Sequence, residues 1–254
     1  MEKCFQISHG DIQVACRLTE SRQINRIVLG VHGFAGSAVD EIQTGIAEEM
    51  VLFRSAVFRF DFPGHGQSPV EELTLQGCVD SLLAVARYAR EQYPLVEDLC
   101  VFATGMGAYV TLLALDQLIA MPGRVKLVVQ TPSVQMSDTL CAMLNLTPER
   151  FAALGKVTIP VKRPLDVTYR FYQELEGHTG LVVSQIPFLI LHGEDDDYIP
   201  MTDIQHLRHI NDRAKLVIIP GTSHRFMEEG AWDMVLDLTR DWFEFEQVLL
   251  ADWE

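Results

Sequence analysis

Five short segments of the chain concentrate residue types that do chemistry, and each directly follows an apolar run. They are His32-Gly33-Phe34-Ala35-Gly36, Asp61-Phe62-Pro63-Gly64-His65-Gly66-Gln67-Ser68, Ala103-Thr104-Gly105-Met106-Gly107-Ala108, His192-Gly193-Glu194-Asp195-Asp196-Asp197-Tyr198-Ile199-Pro200 and Pro220-Gly221-Thr222-Ser223-His224. Carboxylates and imidazoles move protons, and glycine-rich turns that open a helix present backbone N–H groups to an anion. In open sheets with helices on both faces, ligands bind beyond the carboxyl ends of the strands, which is where these segments fall.

The elements that would carry them read as follows. Residues 3–7 and 12–18 alternate with period two around His9-Gly10-Asp11, a hairpin pattern. Then come near-continuous apolar runs at Arg26–Val31, Ser55–Phe60, Leu99–Ala103, Val125–Gln130, Pro187–Leu191 and Lys215–Ile219. Such runs suit strands buried on both faces of a parallel sheet. Between them lie amphipathic stripes: Leu75, Cys78, Leu82, Val85 and Ala89, then Ala231, Val235, Leu238, Trp242, Phe245 and Leu249. Residues 106–120 are apolar nearly all round and predict one central, buried helix. This alternation predicts an α/β fold with a mostly parallel, doubly wound sheet, an N-terminal antiparallel hairpin at one edge and helices on both faces. Between 134 and 185 no strong strand run occurs, but helix-like pieces fall near 137–145, 148–155 and 167–176. The expectation is a single domain over residues 1–254, with 134–185 inserted in it as a small cap.

In order and spacing the five segments resemble the α/β-hydrolase family along essentially the whole chain. Within it the chain looks most like the small serine esterases of the cinnamoyl and feruloyl type, the serine aminopeptidase S33-like hydrolases. The resemblance implies Asp196 as the triad acid and His224 as the base, with His224 bonded to Asp196 and its other ring nitrogen toward residue 105. Asp195 and Asp197 flank the acid, and register with Gly193 and Pro200 selects Asp196. The oxyanion hole falls to the backbone N–H groups of Phe34 and Met106, and Asp138 and Tyr169 fall where the esterases bind the acyl group.

The family's G-x-S-x-G elbow is Ala103, Thr104, Gly105, Met106 and Gly107 here, so Gly105 stands at the nucleophile position. Ala103, Thr104 and Ala108 also depart from the family's usual residues. Together these departures read as natural divergence rather than one engineered replacement. Thr104 should point into packing, Ser68 structures its loop, Ser37 lies beyond the oxyanion loop and Cys100 belongs to the core. His65 and His192 read as structural, and His178, His206 and His209 as surface. Lys162 and Arg163 read as a solvated basic stretch, with contact to a substrate carboxylate as the alternative.

With 20 basic against 35 acidic residues the net charge is −15, which repels phosphate backbones and anionic membranes, so neither nucleic acid nor membrane is an expected partner. Five cysteines without CxxC spacing suit neither a disulfide framework nor a zinc knuckle, and no metal or cofactor is expected. The opening MEKCFQISHG lacks an apolar core and does not read as a signal peptide, and a cytoplasmic protein is expected. A homodimer is compatible with the sequence. Three functions follow: a protein deficient in acyl-enzyme chemistry that binds a small ester or carboxylic acid; a hydrolase or lyase using His224 and Asp196 on water or a substrate proton; and a non-catalytic interaction scaffold.

Overall fold

The computed structural model describes residues 2–246. Leu249, the last residue of the predicted C-terminal stripe, lies outside them. Strands β1 (Glu2–His9) and β2 (Ile12–Glu20) form the N-terminal hairpin, turning at Gly10 in the left-handed region. The main run of elements follows: β3 (Arg26–Val31), α1 (Glu41–Leu52), β4 (Ser55–Phe60), α2 (Leu75–Gln92), β5 (Asp98–Thr104), α3 (Gly105–Leu113), α4 (Leu115–Ile119) and β6 (Arg124–Gln130). The predicted runs at 26–31, 55–60 and 215–219 coincide with strands residue for residue, and every residue of β3 and β4 is buried.

After β6 come α5 (Met136–Leu144), α6 (Pro148–Leu154), β7 (Lys156–Ile159), β8 (Leu165–Thr168) and α7 (Tyr169–Glu176). The three helices match the expected pieces. The antiparallel β7–β8 pair adds two short strands where the sequence shows no strong strand run. Each strand alternates in burial but is only four residues long, too short to stand out as a run. The chain ends its described course with β9 (Phe188–Gly193), α8 (Met201–His209), β10 (Lys215–Ile219) and α9 (Ala231–Phe245).

Eight strands make one sheet in the order β1-β2-β4-β3-β5-β6-β9-β10. The β1–β2 and β2–β4 pairs are antiparallel, and the pairs from β4 through β10 are parallel. β7 and β8 stand apart as a second sheet. One apolar core lies between the sheet and α2, α3, α5 and α7, and a second between the opposite face and α1 and α9. Ala231, Val235, Leu238 and Trp242 bury the α9 stripe, but Phe245 is exposed.

The single helix expected over 106–120 is two helices, broken at Ala114 with φ −89° and ψ 0°. A segment apolar on all sides carries no stripe to mark such a break. Among the described residues no helix is long and apolar enough to cross a membrane.

Strand order reverses between β3 and β5, since β4 lies to one side of β3 and β5 to the other. The loops leaving β3 and β5 therefore diverge to opposite faces and open a crevice at the carboxyl edge of the sheet.

Candidate active site

The β3 loop is braced by a set of buried polar groups. Asp61, at the end of β4, accepts the Ala38 N–H at 2.7 Å on one oxygen and the Gln67 N–H at 2.8 Å on the other. Gly66 has φ +46°, and a Cβ there would strike the Asp61 carboxylate, so only glycine fits. The Nδ1 of His32 donates to the Gly33 carbonyl at 2.8 Å while its Nε2 accepts the Phe62 N–H at 3.1 Å. Full burial lowers its pKa and keeps it neutral. His65 repeats the arrangement, with Nδ1 donating to the Pro63 carbonyl at 2.9 Å and Nε2 accepting the Ala35 N–H at 3.2 Å. Burial, helped by the His32 ring, pushes its pKa down to about 3. Both histidines are loop braces.

At the β5–α3 turn Gly105 has φ +49°, the left-handed conformation that costs a side-chain-bearing residue about 1–2 kcal/mol. A Cβ built at Gly105 would meet nothing closer than the Gly33 Cα at 4.0 Å, so the β3 and β5 loops face each other across open space. Gly107 is the opposite case. A Cβ there would press on the His32 and Val31 carbonyl oxygens, so α3 can pack on β3 only with glycine at that position. Thr104 is largely buried, as its expected packing role requires. Among the described residues, the Phe34 and Met106 N–H groups have no protein acceptor. Met106 lies in the first turn of α3, where backbone donors are free.

Further along the same edge of the sheet, Asp196 follows β9 and His224 follows β10. The Nδ1 of His224 lies 2.8 Å from one Asp196 oxygen, and the other oxygen accepts the Tyr198 and Ile199 N–H groups at 2.9 Å each. That double acceptance, at two and three residues on, is what a short Asp side chain does at a turn. The Asp196 side chain is 0% exposed and the His224 side chain 18%. Burial pushes the Asp196 pKa upward most strongly, but the bond and charge of His224 and the two amides together outweigh it and leave the pKa below its ordinary value. With the folded pKa lowered, Asp196 contributes stability above its unfolded pKa and loses it as pH falls through the folded value. Thermal unfolding of the wild type should therefore fall toward that of Asp196→Asn as the pH drops through the carboxylate range. A gap between them that persists at low pH contradicts this.

His192 is buried beneath the acid, its Nδ1 3.8 Å from the same Asp196 oxygen, and burial lowers its pKa. Tyr198 has no counterpart among the residues singled out from the sequence. Its ring centroid lies 5.1 Å from that of His224 at 60°, and it is 43% exposed. Its signal was its place two residues after Asp196, where the turn fixes both its amide and the direction of its ring.

The remaining candidates scatter. Asp138 is exposed on α5, and its charge raises the pKa of Asp203 in α8, after burial of Asp203 itself. Tyr169 stacks on Tyr172 at 5.4 Å and 18° and meets Phe151 edge-on at 5.6 Å, an aromatic cluster of α6 and α7. Ser68 bonds Val70 in its own loop, and Ser37 accepts the Val39 N–H at 3.4 Å. Cys100 is fully buried on the α1/α9 face, and burial pushes its thiol up to about 12, far from a thiolate nucleophile. Arg163 corrects the sequence reading of a solvated basic stretch. Its Nη1 donates to the Ser68 carbonyl at 2.6 Å and lies 3.4 Å from those of His65 and Gly66, while Lys162 is exposed. Among the described residues, no three His, Cys, Asp or Glu side chains gather to hold a metal ion.

A mostly parallel eight-stranded sheet wrapped by helices, with Asp196 after β9 bonded to His224 after β10, is the α/β-hydrolase fold. Residues 22–174, more than half of the chain, match the model of the family serine aminopeptidase, S33, and the chain belongs to that family. Est1E from Butyrivibrio proteoclasticus, solved with ferulic acid bound, superposes with a TM-score of 0.76 at 20% identity, over 98% of this chain and 100% of its own. Mouse alpha/beta hydrolase domain-containing protein 10 gives 0.75 at 16% identity, over 96% and 100%. The alpha/beta hydrolase GrgF from Penicillium sp. sh18 gives 0.73 at 17%, over 96% and 98%. At these identities the likeness is one of fold. No curated protein sequence matches the chain.

Proposed function

We propose that this α/β-hydrolase holds a small ester or carboxylic acid in the crevice between the β3 and β5 loops and is deficient in serine acyl-enzyme chemistry. One observation carries the reading: Gly105 occupies the left-handed strand-to-helix turn with open space beside it, while the His224–Asp196 bond is intact. An acyl-enzyme needs an oxygen or sulfur nucleophile at the turn, and residue 105 offers hydrogen alone. The Phe34 and Met106 amides supply the contacts for a ligand oxygen, since such donors act independently of a nucleophile. Ferulic acid in Est1E supports the ligand class. The five unpaired thiols fit a cytoplasmic setting, and residues 134–185 serve as a cap.

A second reading is favoured by the histidine itself. Its Nδ1 is committed to Asp196, which leaves Nε2 to take a proton from water or from the ligand. Slow hydrolysis through water is the chemistry that remains.

Titration with butyrate, followed in amide ¹H–¹⁵N spectra, tests the ligand reading. The Phe34 and Met106 resonances should move together along one saturable isotherm. Failure of both to move would end it.

A further inference from the structure

We propose that Arg163, in the turn between β7 and β8, is a positioning residue for the Phe34 amide, acting through the His65 loop. This rests on the reading that the Phe34 and Met106 amides receive a ligand oxygen. Arg163 reaches across from the inserted segment to the Gly64–Ser68 loop, where its Nη1 donates to the Ser68 carbonyl at 2.6 Å and sits 3.4 Å from the His65 and Gly66 carbonyls. Leu165 seats beside it: its Cδ1 lies 3.0 Å from where a Gly64 Cβ would stand, and Gly64, at φ +77°, has none. The β7–β8 hairpin thus holds this loop at two points.

The loop in turn holds Phe34. The Nδ1 of His65 donates to Pro63, so the Nε2 lone pair is free to accept the Ala35 N–H at 3.2 Å. Ala35 is itself left-handed, φ +58°, and its peptide group follows directly on Phe34. The Phe34 ring also lies edge-on to the His65 ring at 6.3 Å. A shift of the His65 loop therefore rotates the backbone that aims the Phe34 N–H. The Arg163 charge also opposes protonation of His65, which keeps Nε2 an acceptor. An arginine suits the task because its guanidinium stays charged and its donors are rigidly arranged. The Met106 amide has no share in this chain of contacts, because α3 holds it.

Glu174 of α7 provides the control. Its carboxylate accepts the Leu75 N–H at 2.8 Å and so fastens the inserted segment to the start of α2 rather than to the Gly64–Ser68 loop. Amide ¹H–¹⁵N spectra of Arg163→Ala, Arg163→Lys and Glu174→Gln, each without and with butyrate, test the proposal. Without ligand, the Phe34 and Ala35 resonances should move in Arg163→Ala, return toward wild type in Arg163→Lys and stay in place in Glu174→Gln, with Met106 unmoved throughout. With butyrate, Arg163→Ala should bind about tenfold more weakly, the effect of losing a charged hydrogen bond that aims a donor. Unmoved Phe34 and Ala35 resonances in Arg163→Ala overturn the proposal and leave the ligand reading standing. Equal movement in Glu174→Gln also overturns it, because general loosening would then suffice. If Arg163→Ala does not fold, Arg163→Lys decides: Phe34 displaced part-way supports the proposal, and Phe34 displaced no more than Met106 overturns it. Butyrate that moves neither amide of the wild type defeats the ligand reading, while the ligand-free spectra still decide the role of Arg163.

Discussion

Gly105→Ser should hydrolyse p-nitrophenyl butyrate about 10³-fold faster than the unmodified chain, a partial recovery of what a triad nucleophile contributes. The expectation comes from what is already in place. The crevice has room for a side chain at 105, with nothing nearer its Cβ than the Gly33 Cα at 4.0 Å. His224 is bonded to Asp196, and the Phe34 and Met106 amides have no other acceptor among the described residues. The serine must adopt φ near +49°, so the gain should come with about 1–2 kcal/mol of lost stability, read as a lower Tm. Activity without that loss would mean that the turn relaxes out of the left-handed region. A folded variant with no activity would mean that the base is out of reach of residue 105.

The second large effect concerns the acid. In the Gly105→Ser background, Asp196→Asn should lower kcat about 10³-fold, back to the rate of the unmodified chain, and leave KM nearly unchanged. A neutral amide in place of the carboxylate cannot stabilise the imidazolium that forms when His224 takes a proton. It can also turn an N–H toward Nδ1 and hold the wrong tautomer. The Tyr198 and Ile199 amides, which the carboxylate now receives at 2.9 Å each, would still find a carbonyl oxygen, so the turn should survive. A fall of less than tenfold would show that Asp196 does not serve the base. Steady-state kinetics of the two variants side by side separate these cases.

Much of this architecture is visible in the sequence for a simple reason. Strands buried on both faces run almost continuously apolar, as β3 and β4 do, so their bounds can be read directly; β10, at the edge of the sheet, keeps the apolar run although Lys215 and Ile218 are exposed. Asp196 and His224 come together because each follows a strand at the same edge of the sheet, and β9 and β10 are neighbours. What escapes the sequence is set by contacts distant along the chain. Arg163 looks like one of a pair of surface cations, and its partners are backbone carbonyls almost a hundred residues away, which leave no mark on side-chain pattern. The break at Ala114 falls in a stretch buried all round, and β7 and β8 bury only two apolar residues each against the core, too few to stand out as a run. Tyr198 is legible only once Asp196 is known to accept its amide.

The most direct measurement is the intact mass of the unmodified chain after incubation with a serine-directed fluorophosphonate, with Gly105→Ser in parallel. The unmodified chain should gain no adduct, and the variant should gain one, mapped to residue 105 on the β5–α3 turn. A stoichiometric adduct on the unmodified chain, at any hydroxyl-bearing residue of the crevice, would contradict the absence of an acyl-enzyme nucleophile.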